Sequence, residues 1–372
     1  MDKIKVLYYN STLLKGGTDT YMFNIIKNID KTKFQVDVII KDGDEVDEHM
    51  LSSLKSFGSN VFLAKGSFPS RMLQLRKYFK THKNEYSVIH INATSQSTGI
   101  ISYFAKKNGN IPKVIFHSHM GGNDNGKSIV DKVGTKLMLK HSDVFASCSN
   151  SASNFMFENK LERGKVIILN NSVDASKFEF NHESRQKIRD ELKISDNDFV
   201  ILHTGRFAPQ KNHKQLVLIF NELLKTEPNA KLLLIGDGIL LDETKELVNS
   251  LKIENSVHFL GLKNNVNDYM CAADCFVMPS IHEGLPIVSV ESQASDLPCV
   301  LSTNVSDECK LTDSVKFVSL SSPLKDWVSV ILKTKKHKRK SNTDLFKKIG
   351  FDESSAIKTI EKLYSNQGEN HD

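Results

Sequence analysis

Apolar positions along this chain come in two alternating styles. Short runs of Val, Ile, Leu and Phe give way to stretches in which apolar residues return every three or four positions. The runs predict strands at 4–10 (IKVLYYN), 34–40, 60–64, 87–92 (SVIHIN), 113–119 (KVIFHSH), 143–149 and 165–171. A second series is predicted at 199–205 (FVILHTG), 230–236, 256–261, 275–280 (CFVMPS) and 298–302. Helical spacing fills most of the gaps, for example 18–29, 209–226, 241–252 and 285–295. This β-α-β alternation belongs to α/β proteins with parallel, doubly wound sheets. Two series in one chain imply two Rossmann-like domains facing each other across a deep crevice. The expected first domain is 1–180 and the second 181–350, joined through the polar stretch 181–198. The remainder, 351–372, is expected to hold a last helix (353–366) that returns to the first domain.

Composition narrows the class. The 372 residues exceed what one ordinary core organises. A 39% hydrophobic and 25% charged content describes a globular chain rather than a disordered one. No apolar run reaches about 18 residues, so no transmembrane helix is expected. The N-terminal MDKIKVLYYNSTLL reads as a first strand rather than a signal peptide. Cys148, Cys271, Cys275, Cys299 and Cys309 lie in or beside apolar segments, as buried thiols of a reduced, cytoplasmic protein would. Cys271 and Cys275 lack the His/Cys pair that a zinc site needs.

The net charge of +6 is modest and comes partly from two patches. RMLQLRKYFKTHK (71–83) reads as a basic amphipathic helix, and KTKKHKRK (333–340) is a short basic run. Each is either a solvated face or a point of attraction to an anionic membrane surface. No nucleic-acid motif accompanies the charge, so a nucleic-acid partner is not expected.

In doubly wound sheets, ligands bind at the carboxyl ends of strands. The strand-end loops therefore hold the candidate chemistry. After the first strand, Gly16 and Gly17 precede a helix, where backbone N–H groups can approach a phosphate. After the first strand of the second series, Arg206 and Lys211 flank a loop with Pro209. A planar fork and a point charge at such a place can clamp a diphosphate. Gly236-Asp237-Gly238 ends the next strand in a turn that permits close backbone approach. PSIHEGLPIVSVESQASDLP (279–298) then places Glu283 at a helix N-terminus and Glu291 inside that helix, with Pro286 suited to its first turn. Carboxylates there can accept bonds from vicinal sugar hydroxyls, and the N–H groups of Gly284 and Leu285 can face phosphate or sugar oxygens.

That segment closely resembles the Glu-x7-Glu segment of the retaining glycosyltransferases of family 4, which have the GT-B fold. GGTDTYMFNII, HTGRFAPQKN, GDG, FLGLKNNVNDYMCAADCFVMPS and ILNNSVDASKF follow that family's landmarks in order, over essentially the whole chain. The pattern looks most like the transferases that build capsular or exopolysaccharide repeat units. The resemblance implies a sugar moved from a nucleotide-diphosphate sugar, a UDP-sugar above all, to a saccharide or lipid-linked saccharide. It implies that Glu291 binds the ribose hydroxyls and that Glu283 contacts the transferred sugar, with Gly284, Leu285, Pro286 and Ile287 alongside. Arg206 and Lys211 would neutralise the diphosphate, approached by Gly16 and Gly17 from the first domain and by Gly236 and Gly238 in the second. The base would rest against Lys263 to Val266, including Asn265. His117 matches the family's active-site histidine, with His119 as the rival assignment, and His90 would line the acceptor side. Two departures stand out: Asn171-Ser172 where the family often has Asn-Gly, and Asp296 where it usually has Gly.

The implied chemistry needs no metal, because cationic side chains and helix amides would hold the leaving diphosphate. Asp42-Gly43-Asp44 and Asp196-Asn197-Asp198 match an Asp-x-Asp metal motif only superficially and read as turns. Three alternatives remain: a sugar-nucleotide epimerase of the same fold, a sugar-binding module without activity, and an NTPase. The last rests on GGNDNGKS (121–128), which fits the P-loop spacing but lacks a second strand ending in a metal-binding Asp.

Overall fold

The computed structural model describes residues 2–14, 17–119, 128–157, 160–161 and 164–365. The chain divides into two compact units, Met1–Asn171 with Glu353–Asp372, and Ser172–Asp352. The first holds β1 (Ile4–Asn10), β2 (Phe34–Ile40), β3 (Val61–Leu63), β4 (Val88–Ala93), β5 (Lys113–Ser118), β6 (Val144–Ser147) and β7 (Val166–Ile168). They form one parallel sheet in the order β3-β2-β1-β4-β5-β6-β7. One face buries Val6, Tyr8, Val36 and Val38 under the helices Gly17–Asn28, Glu48–Ser56 and Glu353–Ser365. The other buries Leu7, Ile89 and Ile91 under Phe68–Thr81, Gly99–Phe104 and Ile129–His141. Cover on both faces is why these strands read as near-continuous apolar runs.

The second unit repeats the plan with β8 (Val200–Thr204), β9 (Lys231–Ile235), β10 (Val257–Gly261), β11 (Cys275–Met278), β12 (Cys299–Ser302) and β13 (Val315–Val318). Their order is β10-β9-β8-β11-β12-β13, again all parallel. The sequence reading misses β13, a four-residue edge strand interrupted by the exposed Lys316. In both sheets the winding reverses beside the first strand, between β1 and β4 and between β8 and β11. The carboxyl ends of those pairs are where a doubly wound sheet opens a ligand site.

Two expectations differ from the structure. The first unit ends at Asn171, not 180. Val173 bridges to Asp352, donates to the Phe351 carbonyl at 3.0 Å, and shares a core with Phe178, Phe346 and Phe351. The stretch 181–198 is not a loose connection. Asn181 caps a helix, His182–Glu191, whose Arg185 and Arg189 both grip Asp274, at 2.7 and 2.8 Å. A segment polar on average can still be anchored, because guanidinium forks satisfy buried carbonyls, here those of Ala272 and Ser195. The basic run 333–340 is also fastened. Lys335 pairs with Glu227 at 2.7 Å, His337 Nε2 lies 2.9 Å from Asp296, and Arg339 covers the Phe180 ring.

Candidate active site

The loop after β8 is built by its neighbours. Gly236 and Gly238 have φ of +145° and +148°. A Cβ on Gly236 would sit 2.0 Å from the Gly205 carbonyl oxygen, and one on Gly238 would sit 2.6 Å from that of Phe207. The close approach expected toward a ligand is made instead to the adjoining loop, because the ends of β8 and β9 lie backbone to backbone. The Phe207 N–H donates to the Asp237 carbonyl at 2.9 Å. This holds the Arg206 segment in place. The Arg206 side chain is exposed and makes no ion pair among the described residues. Lys211 closes the short turn Pro209–Lys211 and turns inward.

Lys211 and Glu283, read separately in the sequence, meet here. Lys211 Nζ lies 2.7 Å from Glu283 Oε1, with side chains only 17% and 12% exposed. The approach is off the axis of a hydrogen bond, so this covered oxygen has a charge partner but no aligned donor. The Glu283 loop is tied on two sides. Ile281 N–H donates to the Gln210 carbonyl and Gln210 Nε2 to that of His282, both at 2.8 Å. Asn304 Nδ2 donates to the Ile281 carbonyl at 2.9 Å, and Ser306 N–H to that of Glu283 at 3.0 Å. The adjacent ends of β8 and β11 thus present a cation and a carboxylate on a braced frame.

The helix that follows is Ile287–Ala294, with Pro286 as its N-cap rather than inside its first turn. Leu285 and Pro286 are buried and Ile287 packs on the core, so their side chains are spent on packing. Gly284 has nothing within 4 Å of where a Cβ would stand. The Gly284 and Leu285 N–H groups donate no hydrogen bond among the described residues. Glu291, inside the helix, is half-buried, and its carboxylate makes no hydrogen bond or ion pair among the described residues. Desolvation pushes its pKa up to about 7 against the opposing pull of Lys177, a residue the sequence reading did not single out. Asn265 bonds Asp268 at 2.9 Å ahead of the helix Val266–Ala272, and Val266 packs on the core. Both follow the end of β10.

In the first unit, Gly16 lies outside the described residues. Gly17 opens its helix with nothing within 4 Å of a Cβ position. The loop before it is drawn in by the buried Asp19, which accepts from Asn10 Nδ2 at 2.6 Å and from Leu14 N–H at 2.8 Å. An acid in the first turn of that helix was the available signal for Asp19.

The histidines form one polar layer. Strand period places His90 and Asn92 of β4, and His117 and His119 at β5, on the same side of the sheet, with Asn92 in register with His117. His90 is fully buried, stacked on Tyr8, with both nitrogens engaged: Nδ1 to the Tyr364 hydroxyl at 2.7 Å and Nε2 to His117 Nδ1 at 3.0 Å. It therefore stands behind His117 rather than lining an acceptor. His117 is also fully buried, and its Nε2 has no partner among the described residues. His119 is the partly open one, its Nε2 2.9 Å from Asn92 Oδ1, its ring 4.0 Å from that of His117. Burial holds His90 and His117 well below the usual histidine range and brings His119 down to about 3. All three are neutral at pH 7. Tyr8, Asn92 and Tyr364 were missed; the spacing of IHIN hinted at Asn92, and nothing local pointed to the two tyrosines.

The P-loop match, 121–128, falls outside the described residues except for Ser128. Ser128 caps the next helix, in a reciprocal box with Asp131. Asp42 and Asp44 are both bound by Arg71. Among the described residues, no cluster of three or more His, Cys, Asp or Glu is placed to hold a metal ion.

A Glycosyltransferase Family 4 model matches residues 15–177, and a Glycosyl transferases group 1 model matches 184–313. Each half of the chain thus matches a glycosyltransferase domain. The glycosyltransferase family match agrees with relatives along most of the chain. EpsF of Bacillus subtilis (strain 168), named as a glycosyltransferase, is 28% identical over 97% of this chain and 96% of its own. The UDP-Gal:alpha-D-GlcNAc-diphosphoundecaprenol alpha-1,3-galactosyltransferase of Escherichia coli is 25% identical over 82% of this chain and 81% of its own. The crystal structure of Anabaena Alr3699/HepE in complex with UDP superposes with a TM-score of 0.80, covering 97% of this chain and all of that one at 19% identity. The fold of the chain is the two-domain GT-B fold.

Proposed function

We propose that this protein moves a sugar from a UDP-sugar to a saccharide or lipid-linked saccharide, with retention at the anomeric carbon, in surface polysaccharide synthesis. The observation that carries the reading is the Lys211–Glu283 pair at the β8/β11 switch point. A diphosphate arriving at Lys211 competes with Glu283 for the ammonium. The carboxylate is then free to accept bonds from the sugar hydroxyls, so binding of one end of the donor prepares the other. Arg206 supplies a second cation to the leaving diphosphate. The unbonded amides of Gly284 and Leu285 face the same charge, and Glu291 receives the ribose hydroxyls. No metal is required by this scheme.

The acceptor is drawn from chemistry that the Escherichia coli relative's name carries, a sugar on a polyprenyl diphosphate. A working place at the cytoplasmic face of an anionic membrane fits the outer surface of the first unit. Leu73 is 67% exposed and Ile129 80%, beside Arg76, Lys77, Lys80, Lys132 and Lys136. No helix in the described residues is long and apolar enough to cross a membrane.

The test is a calorimetric and thermal-shift screen of UDP, GDP, ADP and their sugar conjugates without added metal. Saturable stabilisation by a UDP-sugar is expected. Stabilisation by no sugar nucleotide would end the proposal, and turnover of the bound one with no acceptor present would make the protein an epimerase.

A further inference from the structure

The first unit's polar layer is expensive to bury, and the C-terminal helix takes part in it. The helix Glu353–Ser365 sends Tyr364 into the interior, where the ring packs 6.0 Å from Phe34 and the hydroxyl reaches His90. A fold that needed only a plug at this place would use Phe, since a buried hydroxyl gains nothing unless it is bonded. The bond it makes is the first of a series: Tyr364 hydroxyl, His90 Nδ1, His90 Nε2, His117 Nδ1.

A neutral imidazole has one N–H and one lone pair, so the series can run in only two directions. In one, Tyr364 donates to His90 Nδ1, His90 Nε2–H donates to His117 Nδ1, and His117 carries its proton on Nε2. In the other, every bond reverses, and His117 Nε2 bears a lone pair. Reversal would leave the Tyr364 hydrogen without an acceptor among the described residues, in addition to an unpaired His117 Nε2. The first direction leaves only the Nε2–H group unpaired. One orphaned buried polar group costs less than two.

We infer that Tyr364 and His90 are positioning residues which hold His117 as its Nε2–H tautomer. Burial keeps the tyrosine protonated and both histidines neutral, so the series stays intact across neutral pH. His119 is set the opposite way. Asn92 Nδ2 points to the Thr18 carbonyl, which turns Oδ1 toward His119 Nε2 and fixes the proton there. Its Nδ1 keeps the lone pair. Two rings 4.0 Å apart thus carry one donor, buried on His117, and one acceptor, on the partly open His119 where a sugar hydroxyl can reach it. This assignment deepens the proposed function and rests on it for the identity of the ligand as a sugar. The tautomer itself does not.

The experiment is nitrogen-15 NMR of histidine-labelled protein at neutral pH, in wild type and in Tyr364→Phe, which keeps the ring and removes the oxygen. Wild type is expected to show His117 and His90 protonated on Nε2. The variant is expected to show a mixture of tautomers at both. With a UDP-sugar that binds, Tyr364→Phe should lower the rate of UDP release about tenfold with an unchanged KM, the scale of one hydrogen bond lost at the reacting end. A wild-type His117 protonated on Nδ1, or a variant with unchanged tautomers, would overturn the inference. If Tyr364→Phe fails to fold, the wild-type spectrum still decides the direction of the series. If the spectra come out as expected but no sugar nucleotide binds, the proposed function fails and the tautomer assignment stands.

Discussion

The two switch points of this molecule are made of opposite materials. At β8 and β11 the groups are charged and sit on loops: Arg206, Lys211, Glu283, with Glu291 in the helix behind. Beside the β1/β4 reversal, on β4 and its neighbour β5, they are neutral and belong to the sheet: His90, Asn92, His117, His119. The first arrangement can answer a charged ligand by exchanging partners, since Lys211 and Glu283 hold each other until something better arrives. The second cannot exchange anything cheaply. Its bonds are buried, and its value lies in holding rings and protons in one place. Charge handling and orientation are thus divided between the two units.

Substitutions can break that division or sharpen it. The largest effect is expected from Gly236→Ala. Its Cβ would collide with the Gly205 carbonyl at a φ that L-residues avoid, at a cost of about 3 kcal/mol, read as a lowered midpoint in urea. Gly284→Ala, at an equally conspicuous glycine, should leave that midpoint unchanged, because no protein atom stands in its way. Arg206→Ala and Lys211→Ala should each slow transfer by about 100-fold, measured with a UDP-sugar that binds in the screen. If either retained full rate, the charged switch point would lose its assigned role.

Glu291→Gln should raise the donor dissociation constant about tenfold, the worth of a hydrogen bond to a charged group. It should also change the response to pH. The folded pKa of about 7 lies above the ordinary 4.5, so between these values the folded protein holds a proton the unfolded chain has lost. Stability from this group is therefore present at low pH and lost as pH rises toward 7. The glutamine variant should match wild type below pH 4.5 and be the more stable of the two above pH 7. Donor affinity in wild type should run the other way, tightening as the carboxylate forms. The smallest expected effect is none: activity should survive EDTA, and strict dependence on Mg²⁺ would remove the diphosphate from Arg206 and Lys211.

The same division explains what could be read from the sequence. The β8/β11 site was legible because its residues interrupt apolar runs. A Lys, an Arg and two Glu among strand-end glycines and prolines have few reasons to be there. That Lys211 pairs with Glu283 was not legible, since 72 positions separate them and only the order of strands makes them neighbours. The histidine layer was half legible. The period of two in IHIN and FHSH puts four polar groups on one face, but nothing local says whether that face is open or covered. His90 was given to the acceptor side on the family resemblance alone. Two helices, one from the far end of the chain, bury it. The helix at His182–Glu191 was misjudged for the converse reason. Mean polarity cannot reveal that Arg189 is fully buried with its fork filled.

The return of the last helix has a consequence for how the chain is made. Ile360 and Tyr364 belong to the core under β1 and β2, among the first residues synthesised. A ribosome delivers the N-terminal half early, and domains ordinarily fold as they emerge. Here the first unit must wait, with part of one face of its sheet uncovered, while all of Ser172–Asp352 is translated. The second unit can close on itself before the first is complete. Of the two units, the one that starts earlier in the chain is completed later.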